Sequence, residues 1–151
     1  MTTEARGSVG PGTSTPSERD MSVKINWSCN VQVINGPKLS GADTIEVDAY
    51  DNIEVTVPKK VGQANGSAIV EVQPGAQSKV MFLLIQAGTY QGGSLSYKVD
   101  VSPKPVKLDA QQLMIGSGAV GLLDGAPTKL NFENTGAADI PVRILIGRKA
   151  T

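Results

Sequence analysis

A strict two-residue alternation over residues 23–33 constrains the fold of this chain more than any other feature. The six odd-numbered positions are all apolar, and the five even-numbered positions between them are all polar. A period of two is that of a β-strand, whose successive side chains point to opposite faces, and it excludes a helix. We therefore predict a long strand with one buried and one wet face, ended by the turn Asn35-Gly36-Pro37.

Short strand-like segments recur at regular spacing along the rest of the chain. They are expected at residues 45–48, 53–57, 67–72, 79–85, 94–101, 106–108, 112–115, 119–123, 129–133 and 142–147. The first two are expected to pair as a hairpin, and so are the last two, which Asn134-Thr135-Gly136 joins. The segment 79–85 is apolar on both faces, which is typical of a strand in the middle of a sandwich or at an interface. A helical turn over 109–115, capped by Asp109, remains open as an alternative.

Turn residues separate these segments, since the chain contains 17 glycines and 9 prolines. Many short strands with such punctuation predict an all-β fold, specifically an antiparallel β-sandwich of jelly-roll or Greek-key type. Residues 21–151 are expected to form this single domain. Segments 41–44 and 125–128 resemble each other and each lead into an alternating strand, which fits either two halves of a Greek-key sandwich or a chance match.

Residues 1–20 differ in composition from the rest of the chain. Met1 and Val9 are their only sizeable apolar side chains, among Gly, Ser, Thr, Pro and charged residues. Such a segment buries too little surface to offset its ordering entropy, so we predict a flexible or partner-ordered N-terminal arm. It lacks the apolar core of a signal peptide, and no apolar run is long enough to span a bilayer. We expect a soluble protein without membrane contact, and Met21 leaves open that residues 1–20 are a later addition.

The chain contains no histidine, which excludes Ser-His and Cys-His nucleophile systems and zinc sites built on imidazole. Its 14 basic and 14 acidic residues balance and form no basic stripe, so nucleic-acid binding is not expected. We predict that the protein is not an enzyme. Accordingly, no catalytic, cofactor-binding or metal-binding residues are assigned, and no cofactor is expected.

Two patterns invite a chemical interpretation. The segment 116–121 (GSGAVG) satisfies the dinucleotide fingerprint, but the chain turns again within a few residues and no βαβ unit surrounds it. We interpret its glycines as permitting a tight bend or a close backbone approach. Five acidic residues lack the spacing of a calcium loop, and we interpret them as a solvated strand face. They are Asp43, Glu46, Asp48, Asp51 and Glu54.

Only six aromatic side chains are present, which is few for a sugar-binding cleft. Strand parity and the buried strand place four of them inside the fold: Trp27, Phe82, Tyr97 and Phe132. Tyr50 and Tyr90 remain for an exposed platform. The single cysteine, Cys29, excludes an intramolecular disulfide, shares the apolar face with Trp27, and is expected to be a small core residue.

A β-rich body of about 130 residues with an arm, no histidine, one cysteine and few aromatic residues resembles the head decoration (cement) proteins of tailed phages. It is also similar to other small virion β-sandwich proteins. The resemblance is architectural and transfers no residue. It implies a non-enzymatic structural protein that forms a symmetric homo-oligomer, expected to be a trimer, and binds a larger shell such as a capsid on the virion exterior. The alternatives are a carbohydrate- or cell-surface-binding β-sandwich module and, third, a calcium-dependent or hydrolytic enzyme.

Overall fold

Antiparallel β-sheet makes up nearly all the regular structure of the computed structural model, which describes residues 22–72, 78–124 and 127–150. The strands within these residues are β1 (Val23–Gln32), β2 (Lys38–Val47), β3 (Ala49–Val57), β4 (Gly66–Glu71), β5 (Ser78–Ala87), β6 (Leu95–Val99), β7 (Val106–Lys107), β8 (Gln112–Ile115), β9 (Lys129–Asn134) and β10 (Ile140–Ala150). A 3₁₀ turn at Gln91–Gly93 and the four-residue helix α1 (Ser117–Val120) complete them. The predicted all-β class is confirmed. The predicted arm, Met21 and part of segment 125–128 lie outside the described residues.

The strands form three sheets. Two sheets have four strands, in the orders β3-β10-β5-β8 and β4-β9-β6-β7, and the third is the hairpin of β1 and β2. All pairings between these strands are antiparallel. From β3 onward the chain passes from one four-stranded sheet to the other at each step, except from β6 to β7, which are neighbours. We call strands β3–β10 with their connections the body.

One hydrophobic core contains side chains from both four-stranded sheets, because the inward positions of their strands are apolar. Val142, Ile144 and Ile146 of β10 are essentially inaccessible to solvent. Tyr97 and Phe132 face them from the other sheet, with ring centroids 5.6 Å apart and planes tilted by 47°. The predictions that Tyr97, Phe132 and Phe82 are buried are confirmed.

The predicted hairpin between residues 45–48 and 53–57 is wrong. The strand over 45–48 is the end of a longer strand, β2, which pairs backward with β1, whereas β3 pairs with β10. The chain bends at Asp48, and this bend is tied to the end of β10. The Asp48 amide donates a hydrogen bond to the Arg148 carbonyl at 2.8 Å, and the Ala150 amide donates to the Asp48 carboxylate at 2.5 Å. Alternation identified both strands but carries no information about which strand each one pairs with.

The predicted pairing of residues 129–133 with 142–147 is also wrong, because β9 and β10 lie in different four-stranded sheets. The fully buried residue Asn134 lies at the end of β9, where the chain leaves one four-stranded sheet for the other. Its side-chain amide donates to the Ala138 carbonyl at 2.8 Å, and its side-chain oxygen accepts from the Gly136 amide at 2.8 Å. These bonds hold the connection in a bend that leads away from β9 instead of a tight hairpin turn.

Near β8 one expectation is confirmed and another is wrong. Residues 112–115 form the predicted strand, which pairs with β5, so the alternative helical turn over 109–115 is wrong. The strand expected at 119–123 is instead the end of α1 and the turns that follow it. β8 lies at the edge of its sheet, and the backbone groups of its four residues form hydrogen bonds with one neighbouring strand, β5.

A buried hydroxyl links the two four-stranded sheets. The Tyr97 hydroxyl on β6 donates a hydrogen bond to the Gln112 side-chain oxygen on β8 at 2.6 Å. The Gln112 amide in turn donates to the Lys107 carbonyl at 2.9 Å. Desolvation by burial raises the pKa of Tyr97 to about 12 from its model-peptide value of 10.0.

Candidate functional site

The β1–β2 hairpin is the most distinctive surface feature of the molecule. Its strands pair without interruption from Val23 opposite Val47 to Gln32 opposite Lys38. The Gly36 amide donates to the Val33 carbonyl at 2.8 Å to close the turn, and Asn35 takes a φ of 60° there. Asparagine tolerates this left-handed conformation at a turn, which explains why the sequence marks the position so clearly.

The two faces of the hairpin differ in chemistry, because directly paired residues share a face. The polar face carries a Lys24–Glu46 ion pair at 3.6 Å and a hydrogen bond of 2.7 Å from the Thr44 hydroxyl to Asn26. We call the opposite side the apolar face. It is formed by Val23, Ile25, Trp27, Cys29 and Val31 of β1 and by Leu39, Gly41, Asp43, Ile45 and Val47 of β2.

The base of the apolar face packs on the body. A Cβ atom at Gly147 of β10 would lie 2.7 Å from Ile25 Cδ1 and 3.0 Å from Val47 Cγ1, so a larger residue there would force these side chains to shift. Phe82 of β5 pairs with Gly147 and points to the same outer side of its sheet, yet it is only 4% exposed. The hairpin base therefore covers the outer side of the sheet at this point.

Beyond this base the apolar face is uncovered. Trp27 is half-buried and Cys29 is exposed, so the predictions that both belong to the core are wrong. Val31 is 56% exposed and Leu39 opposite it is 74% exposed. Strand parity decides which side chains share a face, but another element must cover that face before they are buried. The indole of Trp27 lies over Gly41 of its own hairpin.

Next to the hairpin base, the outer side of the sheet β3-β10-β5-β8 continues as an apolar depression. Leu145, Leu84 and Leu113 lie side by side in neighbouring strands there, one row away from Gly147 and Phe82. The depression has a volume of about 300 Å³, and we call it the outer groove. Its lining residues are Tyr50, Asn52, Leu84, Gln86, Arg143 and Leu145.

A polar row bounds the outer groove on the side away from the hairpin. Arg143 forms an ion pair with Glu54 at 2.6 Å. In the same row the Gln86 amide donates to the Gln111 side-chain oxygen at 2.9 Å. The sequence analysis did not predict the outer groove. The one signal for it was the run over 79–85, whose outward positions are as apolar as its inward ones.

The six aromatic residues all lie within the described residues. Tyr50 is the most exposed of them, with 54% of its surface accessible, and it lines the outer groove. The prediction that Tyr50 is exposed is confirmed. The prediction for Tyr90 is wrong, because its ring packs against the core and its hydroxyl accepts a hydrogen bond from the Ala87 amide at 3.0 Å.

The structure disperses the five acidic residues along the hairpin and β3. Glu46 and Glu54 form the ion pairs with Lys24 and Arg143 described above, and Asp43 accepts from the Thr44 amide at 2.7 Å. Asp51 forms an ion pair of 2.6 Å with Arg148, whose guanidinium is buried and also donates to the Val72 carbonyl. Among the residues described, no group of three or more acidic or cysteine side chains is arranged to hold a metal ion.

The glycine-rich segment 116–121 forms a bend. Gly116 has a φ of 88°, which favours glycine, and its amide donates to the Met81 carbonyl at 2.7 Å. The helix that follows, α1, has only four residues. This agrees with our interpretation of the segment as a tight bend beside a neighbouring backbone.

Across the part of the chain that the structure describes, none of the helices is both long and apolar enough to cross a membrane. Comparison of the chain with protein-family models, curated proteins and solved structures finds no match. The candidate site therefore rests on its own geometry, namely a hairpin with an uncovered apolar face beside an apolar outer groove.

Proposed function

We propose that the protein is a non-enzymatic structural protein that assembles as a symmetric homo-oligomer, a trimer, and binds a larger protein shell. The uncovered apolar face of the β1–β2 hairpin carries this proposal. An isolated two-stranded hairpin is only marginally stable in water, and contiguous exposed apolar surface marks protein interaction sites. A hairpin of this length is therefore best explained by a protein surface that covers it.

We further infer that the body is a β-sandwich of the jelly-roll type. Counted from β3, one sheet contains the first, eighth, third and sixth strands, and the other contains the second, seventh, fourth and fifth. This is the order that results when two Greek keys fold into two facing sheets. Viral capsid and lectin domains both use this architecture, so it supports the shell protein and its alternative alike.

The instance that we propose is a capsid decoration (cement) protein on the exterior of a virion. Its residues 1–20 are proposed as an attachment arm, since extended segments bind through backbone hydrogen bonds and small side chains. A chain that begins at Met21 is expected to lose shell occupancy while its free energy of unfolding changes by only a few tenths of a kcal/mol, because the segment adds little apolar surface. Loss of folding in the shortened chain would assign residues 1–20 to the fold instead.

A carbohydrate-binding module remains the second candidate because Tyr50 stands exposed beside amide and guanidinium groups of the outer groove. An aromatic ring next to hydrogen-bonding side chains is a common arrangement for sugar recognition. A glycan array tests this candidate. Binding that is lost in Tyr50→Ala, with an unchanged mass in solution, would favour the module over the shell protein.

The decisive measurement for the leading proposal is the mass in solution. Sedimentation velocity and light scattering of the full chain are expected to give three times the 15.7 kDa chain mass, and the protein is expected to co-sediment with purified capsids of the matching virus. A monomer at all concentrations that fails to co-sediment would contradict the proposal.

A further inference from the structure

We propose that the apolar face of the hairpin of one copy docks in the outer groove of a second copy of this chain. The inference rests on the proposed oligomer and identifies the surfaces that form it. Both surfaces belong to the same molecule, both are apolar, and both begin at the point where the hairpin base meets Gly147 and Phe82.

The first support is the packing that already exists within one copy. Ile25 and Val47 contact the outer side of the sheet β3-β10-β5-β8 at Gly147, one row from Leu145 and Leu84. Val31 and Leu39 extend the apolar surface along the uncovered part of the hairpin. Leu145 and Leu84 extend it along the outer side of the sheet. Docking between copies extends a contact that the chain already makes with itself, using the same kinds of side chain.

The second support is the shape of the hairpin. Each strand has ten residues and so spans about 34 Å, of which the base covers only about a third. The remaining part is one-sided, with polar side chains such as Asn30 and Ser40 on its other face. A one-sided hairpin suits a flat protein surface, because its polar face stays in water when the apolar face is covered. At its tip Ile34 is 88% exposed and extends the apolar surface further.

The third support concerns the identity of the occupant. Residues 1–20 of the same chain bring only two sizeable apolar side chains, too few to cover this surface. The balance of 14 basic and 14 acidic residues removes the net repulsion that keeps charged proteins monomeric. A second copy therefore meets no net electrostatic barrier and offers a matching apolar groove.

The contact joins two different surfaces, a hairpin and a groove, and this kind of contact favours a closed ring. The uncovered hairpin face is about 10 Å wide and about 20 Å long, and one such contact is small compared with the roughly 800 Å² per partner of a standard interface. In a closed oligomer every copy donates one hairpin and accepts another, so the contact occurs twice per copy and no apolar face is left over.

The test compares substitutions on the two faces of the same hairpin. Val31→Glu with Leu39→Glu places two charges on the apolar face, and Asn30→Glu with Ser40→Glu places two charges at the neighbouring pair on the polar face. The first variant is expected to raise the oligomer dissociation constant by about 100-fold or more, because two apolar contacts are lost. The polar-face variant is expected to change it less than threefold. Equal dissociation constants for the two variants would overturn the proposal while leaving the proposed oligomer in place.

A mixing experiment identifies the groove as the acceptor. Leu145→Glu charges the outer groove of an otherwise intact chain and is expected to prevent association when alone. Mixed with the Val31→Glu, Leu39→Glu variant, it is expected to form a one-to-one dimer, since one intact hairpin then meets one intact groove. Association of Leu145→Glu as strong as that of the wild-type chain would mean that hairpins contact each other, and a lack of rescue on mixing would likewise overturn the groove assignment.

Cys29 gives a readout that does not depend on these charges. A photo-cross-linker on this single cysteine, which lies on the apolar face, is expected to link two copies and to label peptides of β5 or β10. Labelling of the β1–β2 hairpin of the second copy would overturn the proposal. A wild-type chain that yields no cross-link and stays monomeric would overturn both this inference and the proposed oligomer.

Discussion

Strands of the hairpin and of the body show the same alternation of apolar and polar residues, but they differ in how far their apolar side is buried. β1 and β6 both alternate strictly between apolar and polar residues, yet the inward side of β6 is fully buried and the apolar face of β1 is largely exposed. The inward side chains of β6 belong to the core that the two four-stranded sheets share, whereas β1 lies in a two-stranded sheet whose base packs on the body. Alternation therefore reports that a strand has an apolar side but does not report what covers it.

The comparison also separates two kinds of stabilisation. In the body, apolar side chains of both four-stranded sheets cover one another, so each chain completes its own core. In the hairpin, the side chains beyond Ile25 gain little from their own copy, and we propose that a second molecule covers them. Mutations in the two regions should therefore differ in whether they change folding or assembly.

The largest effect on folding is expected from the body core. Phe132→Ala removes a ring packed against Tyr97 and should lower the free energy of unfolding by about 3–5 kcal/mol. Urea denaturation measures this value, and Tyr50→Ala serves as the control because its ring is exposed. A loss below about 1 kcal/mol for Phe132→Ala would mean that the body core is not the stabilising unit.

A second test of the body uses pH. Burial raises the pKa of Tyr97 to about 12, so the unfolded chain releases this proton near pH 10 while the folded chain keeps it. Its contribution is complete below pH 10 and is lost as the pH rises through about 12, by about 2–3 kcal/mol in total. Unfolding free energies measured from pH 9 to 12 should fall more steeply for the wild-type chain than for Tyr97→Phe. Parallel curves would contradict the burial of this hydroxyl.

The contact between the two regions should be sensitive to a single methyl group. Gly147→Ala puts a Cβ atom against Ile25, Val47 and Phe82 and should cost about 1–3 kcal/mol by overpacking. Hydrogen exchange in β1 should rise as the hairpin base is displaced. Gly118→Ala is the matched control, since its Cβ would meet no atom within 4 Å. Equal stability of the two variants would show that the hairpin base does not need this close approach.

The smallest effect is expected in the hairpin itself. Trp27→Ala in dilute, monomeric protein should cost about 1 kcal/mol, because the indole is only half-buried and leaves no closed cavity. The same substitution should weaken association much more strongly. Thermal unfolding at low and high protein concentration separates the two effects, and a loss of 3 kcal/mol or more in the monomer would place Trp27 in a core after all.

Particular residues show how far sequence reasoning reached. Parity placed Tyr97 and Phe132 inside correctly because their side of the strand faces the core that both four-stranded sheets share. The same rule failed for Trp27 and Cys29, which the described part of the chain leaves half-buried and exposed. Strand partners were predicted wrongly for β2 and β9, since pairing depends on non-local hydrogen bonds that alternation does not encode.

The outer groove shows a further limit. Leu84 and Leu145 belong to different strands, 61 positions apart in the chain, and only the pairing of β5 with β10 brings them together. Each leucine alone is an ordinary strand residue. The apolar run over 79–85 predicted that both sides of β5 would be covered, and the structure shows that the hairpin base covers one end of its outer side.

The sequence by itself determined the all-β class, the position of most strands and the chemical division of each strand into two faces, because these depend on local periodicity and turn residues. Only the tertiary structure decided which strands pair and that β1 and β2 form a separate sheet. It also decided that the base of this hairpin packs against the body at Gly147. The physical reason is that side-chain alternation is a property of one strand, whereas burial is a property of two surfaces in contact. For the hairpin the second surface is supplied only in part by the chain itself.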